Sequence, residues 1–395
     1  MAAAHSSYDV VIIGGAMIGS AVAWWLARDP GFGGRILVVE RDPSFEFAST
    51  SHTNSCIRMQ FGTEVNVAIS RFGLEFIRAF RDYAGEDAPE IHLDDFGYLY
   101  LAADQVSADR LRAAQALQAR MGAGTRLLTP AQLRTAFPFM AWDDILLGSH
   151  NPGEEGCFDG GTMFSEFRRR ARRMGVEEIR AEATGLRMEG DRVTHVELSD
   201  GSAVACGHVV NAAGPRAARV AAMAGIAIPV EPRKRYTFIF EAEDRLPRKL
   251  PLTVDPCGIH YRSDGALYMA GCPPETDGAC DADDFAMDHA IWEDRVWPAL
   301  AARIPAFERV KLRNSWVGHY AYNTLDQNAL LGPHPAVANL LFANGFSGHG
   351  LQQAPAVGRG IAEHIIHGGW RSLDLAPLSV ARLVEGRALT EAAVI

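Results

Sequence analysis

The stretch DVVIIGGAMIGSAVAWWLA, Asp9–Ala27, decides the fold. An apolar run, Asp9–Ile13, leads into glycines and then into SAVAWWLA, whose apolar spacing is helical. RILVVER, Arg35–Arg41, reads as a second buried strand, so the segment predicts one βαβ unit. Its turn departs from Gly-x-Gly-x-x-Gly at one position, because Ala16 stands where the second glycine belongs. Gly14 permits the tight turn out of the strand, and Gly19 lets the helix pack closely on the sheet. The middle position needs only to let backbone approach a pyrophosphate, and alanine adds a single methyl there. Gly15, Met17 and Ile18 complete the turn, and the N–H groups and dipole of the helix start face the phosphates. Glu40 ends the second strand 21 positions after Gly19, where an acid accepts ribose hydroxyls and disfavours a 2′-phosphate. Arg41 stands beside it at the cofactor. The turn predicts an FAD or NAD site rather than an NADP site.

The rest of the composition narrows the class. With 395 residues and 48% apolar content, the chain buries a substantial core and has room for two domain-sized units. A net charge of −10 argues against a nucleic-acid surface. No run approaches the ~20 apolar residues of a membrane span, and the first strand begins at about Tyr8, so the expectation is a cytoplasmic chain without a leader. The six cysteines form no C-x-x-C pair, which fits reduced thiols. Cys272, Cys280 and His289 lack a fourth ligand, so no metal is expected.

Along the chain, a Ser/Thr-rich stretch, FASTSHTNSCIR, precedes a helix expected from about Glu64 to Tyr83. FGYLYLA, Phe96–Ala102, alternates like an antiparallel strand. In TPAQLRTAFP, Thr129 caps a helix with Pro130 at its first position and Gln132 reaching back. Met163–Met174 is amphipathic, with Phe164, Phe167, Ala171 and Met174 on one face and a solvated basic face opposite. A hairpin turns through Asp200-Gly201, and its strand runs on to Ala213-Gly214. Residues 229–325 read as strand-rich with one helix near AIWEDRVWPALAARI. The strand LLFAN, a glycine loop and a helix from about Pro355 follow.

That loop, FANGFSGHGLQQAP, Phe342–Pro355, selects FAD. Gly345, Gly348 and Gly350, with His349, Leu351 and Gln352, offer backbone donors and a helix dipole to a second anionic locus on a long cofactor. An ordinary glycine loop capping a helix is the alternative.

Three motifs, VVIIGGAMIG, VVNAAG and GFSGHG, resemble the glycine/D-amino-acid oxidase family of FAD enzymes, which includes the sarcosine oxidases. The resemblance runs from about Tyr8 to the C-terminus and implies an α/β chain: an FAD-binding dinucleotide fold, βαβ with a mostly parallel sheet, interleaved with an α+β substrate domain containing an antiparallel sheet. The FAD part is expected at residues 7–85, 150–225 and 326–385, and the substrate part at 86–149 and 226–325. The chemistry implied is hydride transfer from a C–H beside an amine nitrogen to flavin N5. Ser49, Thr50, His52 and Ser55 in the Ser/Thr-rich stretch, with Ala213 and Gly214, fall at cofactor positions of the family.

The resemblance also assigns candidates for substrate. Arg58 matches an arginine that grips the substrate carboxylate in sarcosine oxidases, with a salt bridge or flavin contact as the alternative. Gln352 replaces a lysine that helps there, which puts a small simple amino acid in doubt. Tyr261 matches a tyrosine of the substrate site, and a core tyrosine is the other reading. His52 and His319 fall near the family's covalent flavin anchors and are read as polar neighbours of a non-covalent flavin. Met269 falls where those oxidases place an oxygen-activating lysine, which favours a dehydrogenase using a quinone, dye or flavoprotein acceptor. The leading reading is an FAD-dependent oxidoreductase of an N-substituted or D-amino acid or related amine. The rival is a flavoprotein serving assembly of a respiratory-type complex.

Overall fold

The first strand, Ser7–Ile13, has no solvent-facing side beyond its start, and its side chains divide between two cores. Val10 and Ile12 point into one, Tyr8, Val11 and Ile13 into the other, the period-two division of a strand covered on both faces. The structure, a computed structural model, describes residues 3–391. The strand pairs in parallel with Ile36–Glu40 on one side and Ala203–Asn211 on the other. Glu177–Arg180 extends the sheet beyond Ile36–Glu40, and Val337–Asn344 pairs in parallel with the end of Ala203–Asn211. Antiparallel strands Ala183–Glu189, Arg192–Leu198 and Leu330–His334 complete eight.

Two helices, Met17–Arg28 and Gly350–His367, pack together over this sheet. Gly358 makes that possible, since a Cβ there would lie 2.8 Å from the Cβ of Ala21. The sheet's strand ends and both helix starts therefore meet at one edge.

A second eight-stranded sheet runs in the order Val310–Asn323, Val230–Ala242, Leu267–Cys272, His260–Asp264, Leu252–Val254, Tyr98–Ala102, Leu147–Asn151, Arg126–Leu128. One face packs on Trp142, Trp292, Leu300 and Phe307, and the other turns toward the first sheet. A three-stranded sheet of Cys56–Ile57, Gly156–Phe158 and Leu93–Asp94 lies beside them. The domain boundary expected at residue 150 cuts Leu147–Asn151, which belongs to the second sheet.

Several local expectations hold. Thr129 and Gln132 form a reciprocal capping box, and Gly201 takes φ +86° in its hairpin turn. Others need correction. The helix after Glu64 ends at Arg78, and Phe80–Ala84 forms a separate turn of helix. The last long helix starts at Gly350, not Pro355, because the glycine loop delivers the chain directly into helical geometry. In Gly160–Arg173 the buried stripe is Met163, Phe167 and Ala171, while Met174 is exposed. Its arginines are not a free basic face: Arg168 and Arg172 pair with Glu178, and Arg169 and Arg170 with Glu166.

The C-terminal segment is tied down by a fully buried ion pair. Asp326 accepts from Arg382 Nε at 2.9 Å, from Asn323 Nδ2 at 2.8 Å and from Leu389 N at 2.9 Å. Removing only the cation leaves an uncompensated buried charge, which costs about 3–5 kcal/mol. Arg382→Met is therefore expected to lose that much in urea unfolding, and Arg382→Met/Asp326→Leu to regain part of it. An unchanged midpoint in the single variant would refute the role of the pair.

Candidate active site

Gly14 adopts φ +99°, and a Cβ on it would overlap the Ala212 carbonyl; a Cβ on Gly19 would overlap the carbonyl oxygen of Gly14. Only glycine fits either position. Ala16, by contrast, is the residue before the first helical turn at φ −70°, a conformation open to any residue, and it lines the cavity. The missing glycine is thus at the one place where the turn does not need it. Glu40 braces the turn: one carboxylate oxygen accepts from Gly15 N and the other from Asp42 N, both at 2.8 Å. Burial pushes its carboxyl above the ordinary value.

A continuous cavity leads from this turn between the two sheets, passing Arg41, the 45–56 segment and the Ala213–Gly214 loop, to Arg58, His260 and the start of Gly350–His367. Thr50 Oγ1 accepts from Met17 N at 3.2 Å, and Ser49 Oγ donates to His319 O at 2.6 Å, which clamps the loop across it. Asn211 shapes the Ala213–Gly214 loop by accepting from Ala213 N and donating to Ala217 O. Helices 105–120, 130–136 and 160–173 are capped by Asp104, Thr129 and Asp159. The two whose starts open into the cavity, Met17–Arg28 and Gly350–His367, are not capped by the side chain of their own N-cap residue, and Thr50 takes only the first N–H of Met17–Arg28. Their N-terminal dipoles are directed into the cavity, as an anionic ligand requires.

At the far end Arg58 is buried, with its guanidinium 4.6 Å from the Phe61 ring centroid and within 6.0 Å of those of Tyr98 and Tyr100. Arg58 Nη2 lies 2.7 Å from His349 Nε2. Arginine only donates, so that imidazole nitrogen accepts and its proton is on Nδ1. Arg58 N donates to Gln352 Oε1 at 2.8 Å. The backbone beneath is held by Glu155, which accepts from Met59 N and Gln60 N and from Gln60 Nε2.

Most of the residues expected from sequence converge here, with five corrections and one relocation. Arg58, Gln352, His349, Gly348, Gly350, Leu351, Ser49, Thr50, His52, Ser55, Ala213 and Gly214 line the cavity together with Gly14, Ala16, Met17, Ile18, Glu40 and Arg41. Gly15 and Gly19 support the turn from behind rather than lining it. Gly345, at φ +69°, is a packing glycine against Val230 and Asn323 and does not line it either. Tyr261 does not face the cavity. It alternates with His260 and Arg262, so it points to the opposite core, beside Trp142 and Tyr268. His319 borders the cavity, but it shares a strand face with Lys234 rather than with Tyr320. Its Nε2 lies 2.9 Å from Asp284 O and its ring 4.3 Å from that of Phe285, and burial holds it below the ordinary histidine range. Met269 is buried, registered between Ile239 and Arg262, and is not a lining residue.

Sequence reading missed Tyr98, Asn54, Arg235, His260 and Tyr320. Arg235 stacks on Tyr320, guanidinium to ring 4.5 Å, and Gly348 fits only because a Cβ there would press into the same ring. Burial and the nearby arginines push His260 down to about 3, so it is neutral, and its Nε2 contacts Asn54 Nδ2 at 3.2 Å. Alternation in EPRKRYTF marks Arg235 and Thr237 as sharing a face, but not which face.

These residues fit a long anionic cofactor. Two helix starts whose N-cap residues supply no side-chain cap lie at its ends, a glycine turn closes against the backbone, and buried polar atoms of the wall, Arg235 Nε and His260 Nδ1, have no protein partner among the described residues. No cluster of three or more potential metal ligands occurs among the described residues, and no helix there is long and apolar enough to cross a membrane.

Known proteins agree. The chain is 37% identical over 419 residues to FAD-dependent oxidoreductase domain-containing protein 1 of Xenopus laevis, covering 97% of this chain and 84% of that one. It is 24% identical to mitochondrial sarcosine dehydrogenase of Mus musculus over 92% of this chain but 40% of that protein. The L-proline dehydrogenase structure from P. horikoshii superposes with a TM-score of 0.85 at 26% identity, over 97% of this chain and all of that one. With residues 9–364 matching the DAO family, FAD dependent oxidoreductase, the chain belongs to that family and binds FAD.

Proposed function

We propose that the chain oxidises the C–N bond of an N-substituted or D-amino acid, or a related amine. The observation that carries this reading is the buried Arg58 guanidinium at the end of the FAD cavity, walled by Phe61, Tyr98 and Tyr100. A desolvated guanidinium fork suits a carboxylate, and in a site that excludes water such a contact orients the substrate strongly. Bound FAD supplies the hydride acceptor for a C–H next to the amine nitrogen, after which the imine hydrolyses. The chain's own part is positioning. His349 and Gln352 set the Arg58 side chain and backbone, the aromatic wall excludes water, and neutral His260 presents polarity without charge. Sarcosine dehydrogenase and L-proline dehydrogenase among the similar proteins act, by their names, on secondary amino acids, which supports the substrate class.

Arg58→Ala is expected to keep its FAD while kcat/KM on the true substrate falls by ~100-fold or more, the scale of a lost charge-assisted contact. Loss of flavin instead would assign Arg58 to the cofactor.

The flavin is expected to be non-covalent. One ring nitrogen of each candidate anchor, His52 Nδ1 and His319 Nε2, is engaged with a backbone carbonyl, Ala48 O and Asp284 O. Acid precipitation should leave the yellow colour in the supernatant; a yellow pellet would overturn this.

A dehydrogenase is favoured over an oxidase. No lysine lines the cavity among the described residues, burial holds His260 and His319 toward neutral, and Arg235 is paired with Asp277. With Arg58 committed to the substrate carboxylate in this reading, developing superoxide meets little further positive charge. Stopped-flow mixing of reduced enzyme with oxygen should show slow re-oxidation and a quinone or dye should re-oxidise it faster; oxidase-like rates with oxygen would refute the preference.

A further inference from the structure

Two residues before Arg58, the strand Cys56–Ile57 places Cys56 directly opposite Cys157 of Gly156–Phe158. Phe158 N donates to Ser55 O at 2.8 Å, so the hydrogen bonds flank the cysteine pair instead of joining it. In antiparallel ladders such pairs bring the Cα atoms to about 4.5 Å, inside the ~4.4–6.8 Å window of a disulfide. The side chains point the same way. Cys56 Sγ donates to Asn54 O at 3.2 Å and Cys157 Sγ approaches the same oxygen at 3.7 Å. Arg262 Nη2 also reaches that carbonyl, at 3.4 Å. Both cysteines are free thiols, and Cys56 lines the FAD cavity.

The surroundings divide the pair by role. A hydrogen bond from Cys157 and the Arg262 charge hold the Cys56 thiol below its ordinary value, while the same contact and burial push Cys157 up. Burial raises Cys206, Cys272 and Cys280, and the surface-exposed Cys257 is also raised rather than lowered. Thiolate reactivity is thereby concentrated at the one cysteine that faces the cavity and has a second cysteine against it.

We propose that Cys56 and Cys157 form a peroxide-responsive dithiol in the cavity wall, Cys56 reacting first and Cys157 resolving it. The Cys56 thiolate attacks one oxygen of hydrogen peroxide. The S–O bond forms as the O–O bond breaks, giving the sulfenic acid and a hydroxide that takes up a proton to leave as water. Cys157 sulfur then attacks Cys56 sulfur. The S–S bond forms as the S–O bond breaks, and the second water leaves with the Cys157 proton. Two thiols and one peroxide become one disulfide and two waters. The bond would fasten the strand that leads into Arg58 to the strand that follows Glu155, making the Arg58 end of the cavity sensitive to oxidation. The reaction is independent of which amine the enzyme oxidises.

The test uses the FAD-loaded protein and added hydrogen peroxide, followed by alkylation of remaining thiols and peptide mass spectrometry. A Cys56–Cys157 cross-linked peptide should appear at least about tenfold faster than oxidation of Cys257, and dithiothreitol should restore both thiols. In Cys157→Ser the cross-link should be absent, and dimedone should label Cys56. Persistence of both thiols at peroxide levels that oxidise Cys257 would overturn the proposal. So would dimedone labelling of another cysteine in preference to Cys56 in Cys157→Ser. The comparison with Cys257 in the unmodified chain decides the matter even where the variant does not fold.

Discussion

The close approach of Gly19 to the carbonyl of Gly14, with Gly14 itself against Ala212, is the constraint on which the rest depends. It pulls the helix Met17–Arg28 onto its strand and brings the end of Ala203–Asn211 to the same spot. A side chain at either glycine would push the helix start away, and with it the N–H groups that meet an anion. Everything else that lines the cofactor cavity is placed relative to this point. Glu40 holds the turn from the next strand, Thr50 caps the first helical N–H, and Asn211 shapes the loop opposite. Gly358 then lets a second helix lie on the first, so that its own start opens into the same cavity.

The second sheet contributes the other wall and most of the charge. Its long ladder, Val230–Ala242 on Val310–Asn323, fixes which of its side chains look inward. Arg235, Thr237, Gly318 and Tyr320 share that face, and Gly318 is required there because a Cβ would lie 2.8 Å from the Cβ of His52. Burial, with the charges of Arg235, Arg262 and Arg58 nearby, keeps His260 neutral. The short three-stranded sheet carries Cys56, Ile57 and the approach to Arg58, and each of its ladders spans only two residue pairs.

Much of this was legible in the sequence where the physics is local. The glycine turn, the two buried strands around it, the capping box at Thr129 and the Asp200-Gly201 hairpin each follow from a backbone requirement that a few neighbouring residues satisfy, whereas the bracing of the turn by Glu40 was not read from sequence. So did the inference that Ala16 is tolerated, because its position needs no positive φ. Resemblance to flavoenzymes brought Arg58, Gln352 and His349 to notice as well, and these do converge.

What the sequence could not determine was facing and partnership across long separations. Alternation shows that Tyr261 and His260 look opposite ways, but only the packing of Trp142 and Phe307 on one face of the sheet decides that Tyr261 is core and His260 is cavity. The same holds for His319, which is turned toward Asp284 while its neighbour Tyr320 faces Arg235. Cys56 and Cys157 are 101 positions apart, and no spacing rule joins them. Local sequence determines backbone conformation and periodicity, because those depend on neighbouring residues. Which face becomes a binding surface, and which distant side chains meet there, depends on burial and register supplied by the rest of the fold.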